Sequence, residues 1–193
     1  MDSSVLQRLK LETRASHVDL EHRVDILKRL RTPAKYRDLL EAFYGVCVPL
    51  EGELRRSLPE IAQWLPDIAG RMRSSSLVLD LRVLGNDCPQ ALPLAPVPTL
   101  GSLGEQFGCL YVLEGSTLGG QIISREIDNQ LHFTAENGAA YFSGHGAETG
   151  NMWSKFCDAI TAFAAAHPEA QDPVVGSAMA TFAAFAGWME RKP

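Results

Sequence analysis

Three residues near the N-terminus have the types and the spacing of a ligand-binding face. Lys10, Arg14 and His17 stand at positions i, i+4 and i+7 of a predicted first helix, from about Ser3 to Leu30, and therefore share one side of it. A neutral imidazole nitrogen can bind a metal ion, while the two cations can hold anionic groups one and two turns away. The alternative interpretation is a histidine on a solvated face. His22 is expected to lie about 140° further round the helix, outside this site.

A second stretch, Leu110–Gln121, carries glycines where the apolar period otherwise predicts one helix. The predicted helix begins at a capping box, Ser102 with Glu105. Each glycine inside a helix costs about 1 kcal/mol relative to alanine, so some other interaction must offset it. Gly115 and Gly119 share a face, and bare backbone there lets a flat or bulky group approach closely or lets the helix bend. The alternative is a close crossing of two helices.

Together the two stretches suit a flat, dianionic iron macrocycle held between two helices. His17 would be its axial ligand, and Lys10 and Arg14 would meet its carboxylates. The sequence therefore predicts a haem site.

The residues of both stretches resemble motifs of the haem oxygenase family. The run Leu9–Glu21 (LKLETRASHVDLE) is similar to the family's proximal-helix motif, and Leu113–Gln121 (LEGSTLGGQ) is similar to its distal-helix motif. Weaker similarities are Asp80-Leu81 leading to Leu84-Gly85, and Tyr141-Phe142 ahead of Trp153. The resemblance covers most of the chain. It looks most like bacterial haem oxygenases that supply biliverdin to phytochromes.

The resemblance implies a single all-α domain over residues 1–193, with haem between a proximal helix and a kinked distal helix. It also implies oxidative cleavage of haem to biliverdin, ferrous iron and carbon monoxide, using dioxygen and reducing equivalents. The electron donor would be a ferredoxin or a flavoprotein reductase, and the acceptor of biliverdin a bacterial phytochrome.

Roles for individual residues follow from the same resemblance. His17 matches the proximal iron ligand, and Lys10 and Arg14 match positions that meet the haem propionates. Catalytic roles are implied for Gly115, Ser116 and Gly119, where the distal backbone lies over bound oxygen. Tyr111 is carried over as a haem contact because it neighbours Leu110, which matches a family tyrosine.

Two positions depart from the family pattern. Ser116 stands where many members carry an aspartate that organises a proton-delivering water, and a hydroxyl can hold water without carrying charge. On a later helix the basic positions fall near Ser154 and Asp158, with only Lys155 close by. A non-catalytic haem-binding or haem-carrier protein of the same fold is therefore an alternative. A plain helical interaction domain, with glycines that only permit helix crossing, is another.

Composition limits the function classes. The chain has 193 residues, 46% of them hydrophobic, and a net charge of −5 without a basic run, so no nucleic-acid partner is expected. No apolar stretch is long enough for a membrane span, and residues 1–4 lack the pattern of a signal peptide, which predicts a cytoplasmic protein. Four scattered cysteines without a CxxC pair are not typical of a zinc site.

The rest of the chain predicts further helices, seven or eight in all, separated by loops. The expected segments are a helix after Pro33, a helix over Asp67–Leu84, a proline-rich connector over Asn86–Pro98, a loose loop over Leu131–Gly150 that packs Tyr141-Phe142, a helix over Glu148–Ala166, and a last helix after Pro173 with Val175, Met179, Phe182, Ala186 and Met189 inward.

Overall fold

A computed structural model describes residues 4–190, so the predicted helix start at Ser3 lies outside the described residues. The all-α prediction is confirmed, because the described part of the chain forms helices and no β-strand. The α-helices are α1 (Val5–Glu12), α2 (Arg14–Val24), α3 (Ile26–Arg29), α4 (Pro33–Arg55), α5 (Leu58–Ala62), α6 (Ser74–Val83), α7 (Leu103–Leu131), α8 (Ala140–Ser143), α9 (Thr149–Ala166) and α10 (Gln171–Met189). None of the described helices is long and apolar enough to span a membrane.

The prediction of one long first helix is wrong, because the segment divides into α1, α2 and α3. At Thr13 the interruption is slight, since the backbone hydrogen bonds continue from Thr13 N–H to Leu9 and from His17 N–H to Thr13. At Asp25 the backbone turns left-handed, with φ 39°, and ends α2. The face that joins α1 to α2 is therefore continuous as predicted.

Helix α7 is the longest helix of the described residues. It begins at the predicted capping box, in which the N–H of Glu105 donates to Ser102 Oγ (3.3 Å) and the N–H of Ser102 donates to Glu105 Oε2 (2.8 Å). It stays helical through Gly115 and Gly119 and ends at Leu131.

Helix α10 crosses the N-terminal half of α7 at two other glycines. A Cβ added to Gly108 would lie 2.1 Å from the carbonyl oxygen of Val174, and one added to Gly104 would lie 3.0 Å from that of Ala170. The hydroxyl of Ser177 donates to the carbonyl of Glu105 (2.7 Å) across the same contact. The close helix crossing thus uses Gly104 and Gly108.

Three details of the predicted helices are wrong. Residues 67–84 form a 3₁₀ turn, Ile68–Arg71, followed by α6, rather than one helix. Helix α10 begins at Gln171, so Pro173 lies in its first turn, where the missing N–H costs no helical hydrogen bond. Met179 is 44% exposed instead of inward.

Candidate functional site

A cavity of about 590 Å³ opens between the α1–α2 face and the C-terminal half of α7. Aromatic side chains from four other helices close it, namely Phe43, Phe142, Trp153, Phe182 and Phe185. All the residues predicted from sequence line this one cavity: Lys10, Arg14, His17, Tyr111, Gly115, Ser116 and Gly119. Their roles there remain predictions.

His17 stands on the α2 wall of the cavity. Its Nδ1 lies 3.8 Å from Glu21 Oε2, one turn further along the helix, and its ring packs edge-on against Phe182 with centroids 5.7 Å apart. A histidine that ligates a metal commonly directs its other ring N–H to a carboxylate, which fixes the ring. Glu21 is the carboxylate beside Nδ1, at a distance beyond that of a direct hydrogen bond.

Lys10 and Arg14 lie at the edge of the same cavity and are exposed. Neither side chain has an ion-pair partner within residues 4–190. Two unpaired cations beside an apolar cavity are suited to the carboxylates of an otherwise apolar ligand.

Two of the three glycines of the distal motif have room for a side chain. A Cβ added to Gly119 would meet no atom within 4 Å, and one added to Gly115 would lie 3.6 Å from the Trp153 ring, an ordinary contact. By contrast, a Cβ on Gly120 would lie 2.7 Å from the carbonyl oxygen of Phe142. Helix packing therefore explains Gly120 and leaves Gly115 and Gly119 without a packing reason.

Solved structures with the same fold are haem oxygenases. The haem oxygenase of Neisseria meningitidis, solved in NO- and CO-bound forms, aligns with a TM-score of 0.84 over 99% of this chain and 92% of its own, at 21% identity. Haem oxygenase 2 of Chlamydomonas reinhardtii aligns with a TM-score of 0.84 over 99% and 98% of the two chains, at 20% identity. The haem complex of haem oxygenase-1 from Synechocystis sp. PCC6803 aligns with a TM-score of 0.75 over 98% and 92%, at 20% identity.

The sequence comparisons agree with the fold. The family model for haem oxygenase matches residues 98–191. A haem oxygenase of Xanthomonas campestris pv. campestris (strain 8004) is 39% identical over 71 residues, which are 34% of this chain and 41% of that protein. These two matches show that part of the chain is similar to haem oxygenase. The match spans less than half of the Xanthomonas haem oxygenase.

Ser116, at the position where many haem oxygenases carry an aspartate, makes hydrogen bonds that the sequence did not predict. Its hydroxyl donates to the carbonyl of Leu113 (2.6 Å) and accepts from Nη2 of Arg73 (3.2 Å). The same guanidinium group donates to the carbonyls of Leu113 (3.3 Å) and Tyr141 (3.0 Å). Arg73 lines the cavity, and the sequence analysis missed it because no motif links it to Ser116.

A second arginine holds the same part of α7 from behind. The buried Arg71 forms an ion pair with Glu114, which directly precedes Gly115, and also bonds to Asp67 (2.7 Å) and to the carbonyl of Met152 (3.1 Å). Helix α7 is thereby fixed at Glu114 and Ser116 by two residues of one short segment.

The segment predicted as a loose loop forms a firmly held wall of the cavity. Asp80 accepts from the N–H groups of Ala140 (2.9 Å) and Tyr141 (2.8 Å), and the hydroxyl of Tyr36 donates to the carbonyl of Gly138 (2.9 Å). The hydroxyl of Tyr141 lies 3.2 Å from Cys47 Sγ. These bonds set Tyr141 and Phe142 in place, so the cavity is preformed on this side.

The buried Asp80 should make the free energy of unfolding depend on pH. Burial raises its pKa to about 6, although the two N–H bonds act to lower it. Because this pKa lies above the ordinary value of about 3.9, the folded state binds the proton more tightly than the unfolded state does. The resulting stabilisation is fully present below about pH 4 and is lost as the pH rises through about 6. The unfolding free energy of wild type minus that of Asp80→Asn should therefore increase by about 2 kcal/mol from about pH 7 to about pH 4.

Urea unfolding at a series of pH values measures this difference. Asp87→Asn, which removes an exposed carboxylate nearby, controls for the change in net charge. A wild-type minus Asp80→Asn difference that stays constant over the range would show that burial does not perturb Asp80.

The remaining family-matched positions differ in whether they line the cavity. Leu110 is 2% exposed and belongs to the core, whereas its neighbour Tyr111 lines the cavity and packs against Trp153 with ring centroids 5.7 Å apart. Lys155 and Asp158 line a different groove, so neither reaches the cavity edge. Of the α9 side chains, Trp153 is the one that lines the cavity.

Proposed function

We propose that this chain is a haem oxygenase that cleaves haem to biliverdin, ferrous iron and carbon monoxide, using dioxygen and reducing equivalents. The observation that carries the proposal is the pair of glycines opposite His17. Gly115 and Gly119 weaken α7 by about 1 kcal/mol each, and no packed neighbour explains them. The space that they leave is part of the cavity, so a ligand that needs this space accounts for them.

The residues around the cavity fit haem as substrate and cofactor. Haem supplies the iron that reacts with dioxygen and the ring that is opened. We assign His17 as the iron ligand, and Lys10 and Arg14 as partners of the propionates. Tyr111 would contact the ring through its half-buried side chain.

On the opposite wall, Gly115 and Gly119 would leave room for a ligand of the haem iron. Ser116 already donates its proton to Leu113, so toward the cavity it can only accept a hydrogen bond. We propose that it holds a water by accepting from it, and that this water supplies the proton.

The proposal extends to the whole protein. We propose one haem oxygenase domain over residues 1–193 that acts in the cytoplasm. A ferredoxin or a flavoprotein reductase would supply electrons. A bacterial phytochrome as biliverdin acceptor rests on the subgroup resemblance alone.

Haem titration tests the binding step. Wild type should give a Soret band on addition of haem, and His17→Ala should weaken haem affinity at least about tenfold through loss of the iron ligand. His22→Ala is the matched control, since His22 is exposed on the same helix and does not line the cavity. Equal affinities of His17→Ala and wild type would contradict the assignment of His17.

A time course in air tests the chemical step. With ascorbate, or a ferredoxin and its reductase, the Soret band of the haem-loaded protein should decay while a broad red biliverdin band grows. Ser116, in place of the family aspartate, favours one second candidate, a haem-binding protein without turnover. A Soret band that persists under these conditions would support that candidate.

A further inference from the structure

Arg73 brings a positive charge to the α7 side of the cavity. It directly precedes α6, and its backbone N–H donates to Glu51 Oε1 (2.7 Å), which fixes the start of the side chain. Its guanidinium group lies over the Tyr141 ring, 4.7 Å from the centroid, and reaches Ser116 on α7. The group is therefore held rigidly at the cavity surface.

Within residues 4–190, no carboxylate forms an ion pair with this guanidinium group. Its hydrogen-bond acceptors are the carbonyls of Leu113 and Tyr141 and the hydroxyl of Ser116, all of them neutral. Arg71, two residues earlier, is instead paired with Asp67 and Glu114. Among the described residues, the guanidinium group of Arg73 thus has only neutral hydrogen-bond partners, whereas that of Arg71 is paired with carboxylates.

The two carboxylates nearest to this region are already engaged. Glu51 accepts from the backbone N–H groups of Arg73 and Ser74 and pairs with Arg55 (3.3 Å). Glu114 is buried against Arg71. The charges of Arg73 and Arg71 also act on the nearby His145. Burial lowers the pKa of its imidazole, and the two arginine charges lower it further.

We propose that Arg73 makes the α7 side of the cavity a binding site for a small anionic ligand of the haem iron. The inference rests on the proposed function, because it places that ligand on the iron held by His17. A charged donor of fixed geometry binds an anion more strongly than a neutral ligand of equal size. Arg73 therefore favours anionic over neutral ligands on the side of the haem opposite His17.

Azide titration of the ferric haem complex, followed by the shift of the Soret band, tests the inference. Arg73→Gln removes the charge and should weaken azide binding about tenfold. Ser116→Asp leaves Arg73 in place and adds a carboxylate within its hydrogen-bond reach, so it should weaken azide binding by a similar factor. Carbon monoxide, a neutral ligand of the ferrous complex, should bind to all variants within roughly twofold of wild type.

Arg82→Gln is the matched control, because it removes one positive charge from an exposed position of α6. It should bind azide as wild type does. Wild-type azide affinity in Ser116→Asp or in a folded, haem-bound Arg73→Gln would overturn the inference. If Arg73→Gln does not fold, Ser116→Asp decides alone. Failure of wild type to give a Soret band would instead refute the proposed function, so the two failures are distinguishable.

Discussion

Replacing Arg71 by methionine is expected to lower the free energy of unfolding by about 3–5 kcal/mol. The Arg71 side chain is 0% exposed and that of Glu114 is 3% exposed, so the variant leaves a buried carboxylate without its partner. Burial already raises the pKa of Glu114, and Arg71 is the group that opposes this rise. Urea unfolding near pH 7 measures the loss.

The control is Arg56→Met, which breaks the surface ion pair with Glu53. Arg56 is 69% exposed, and exposed pairs contribute at most about 1 kcal/mol. The double variant Arg71→Met with Glu114→Leu should recover part of the lost stability, because it removes the unpaired charge as well. Equal unfolding midpoints for Arg71→Met and Arg56→Met would mean that water reaches Glu114.

Site residues that lie close together in the chain could be predicted from the sequence. Lys10, Arg14 and His17 follow a helical period, and such a period survives the slight interruption at Thr13 because the hydrogen bonds continue there. The break at Asp25 was not predictable, since a left-handed aspartate has no pattern of its own in the sequence.

The residues that support the site were not predictable, because their partners are distant in the chain. Arg73 meets Ser116 across 43 positions, and Asp80 meets Tyr141 across 61. Only the packing of α6 against α8 and the contact of the Arg73 side chain with α7 bring these groups together. Tyr141-Phe142 could be picked out as an anchor by its apolar character, but the bonds that hold it could not.

Met179 shows a related limit. Its spacing from Val175 and Phe182 fits a buried stripe, yet it is exposed while Ala178 beside it is fully buried. Which of two adjacent apolar positions turns inward depends on where α7 and α2 contact α10, and the period alone does not contain that information.

Alanine at two glycines of the same helix should have opposite effects on stability. In Gly108→Ala the new Cβ would lie 2.1 Å from the Val174 carbonyl oxygen and 2.9 Å from the Ala178 nitrogen. Both are backbone atoms, so α7 and α10 must separate, and the free energy of unfolding should fall by about 3 kcal/mol. In Gly119→Ala the Cβ meets nothing, and helix propensity alone should raise the free energy of unfolding by up to about 1 kcal/mol.

If the cavity is the haem site, Gly119→Ala should slow haem degradation although it does not lower stability. The substitution places a methyl group in the space opposite His17. Urea unfolding and the Soret time course on the same samples measure both effects. A Gly119→Ala variant as unstable as Gly108→Ala would mean that Gly119 serves helix packing, whereas a stable variant with reduced turnover ties this glycine to the ligand.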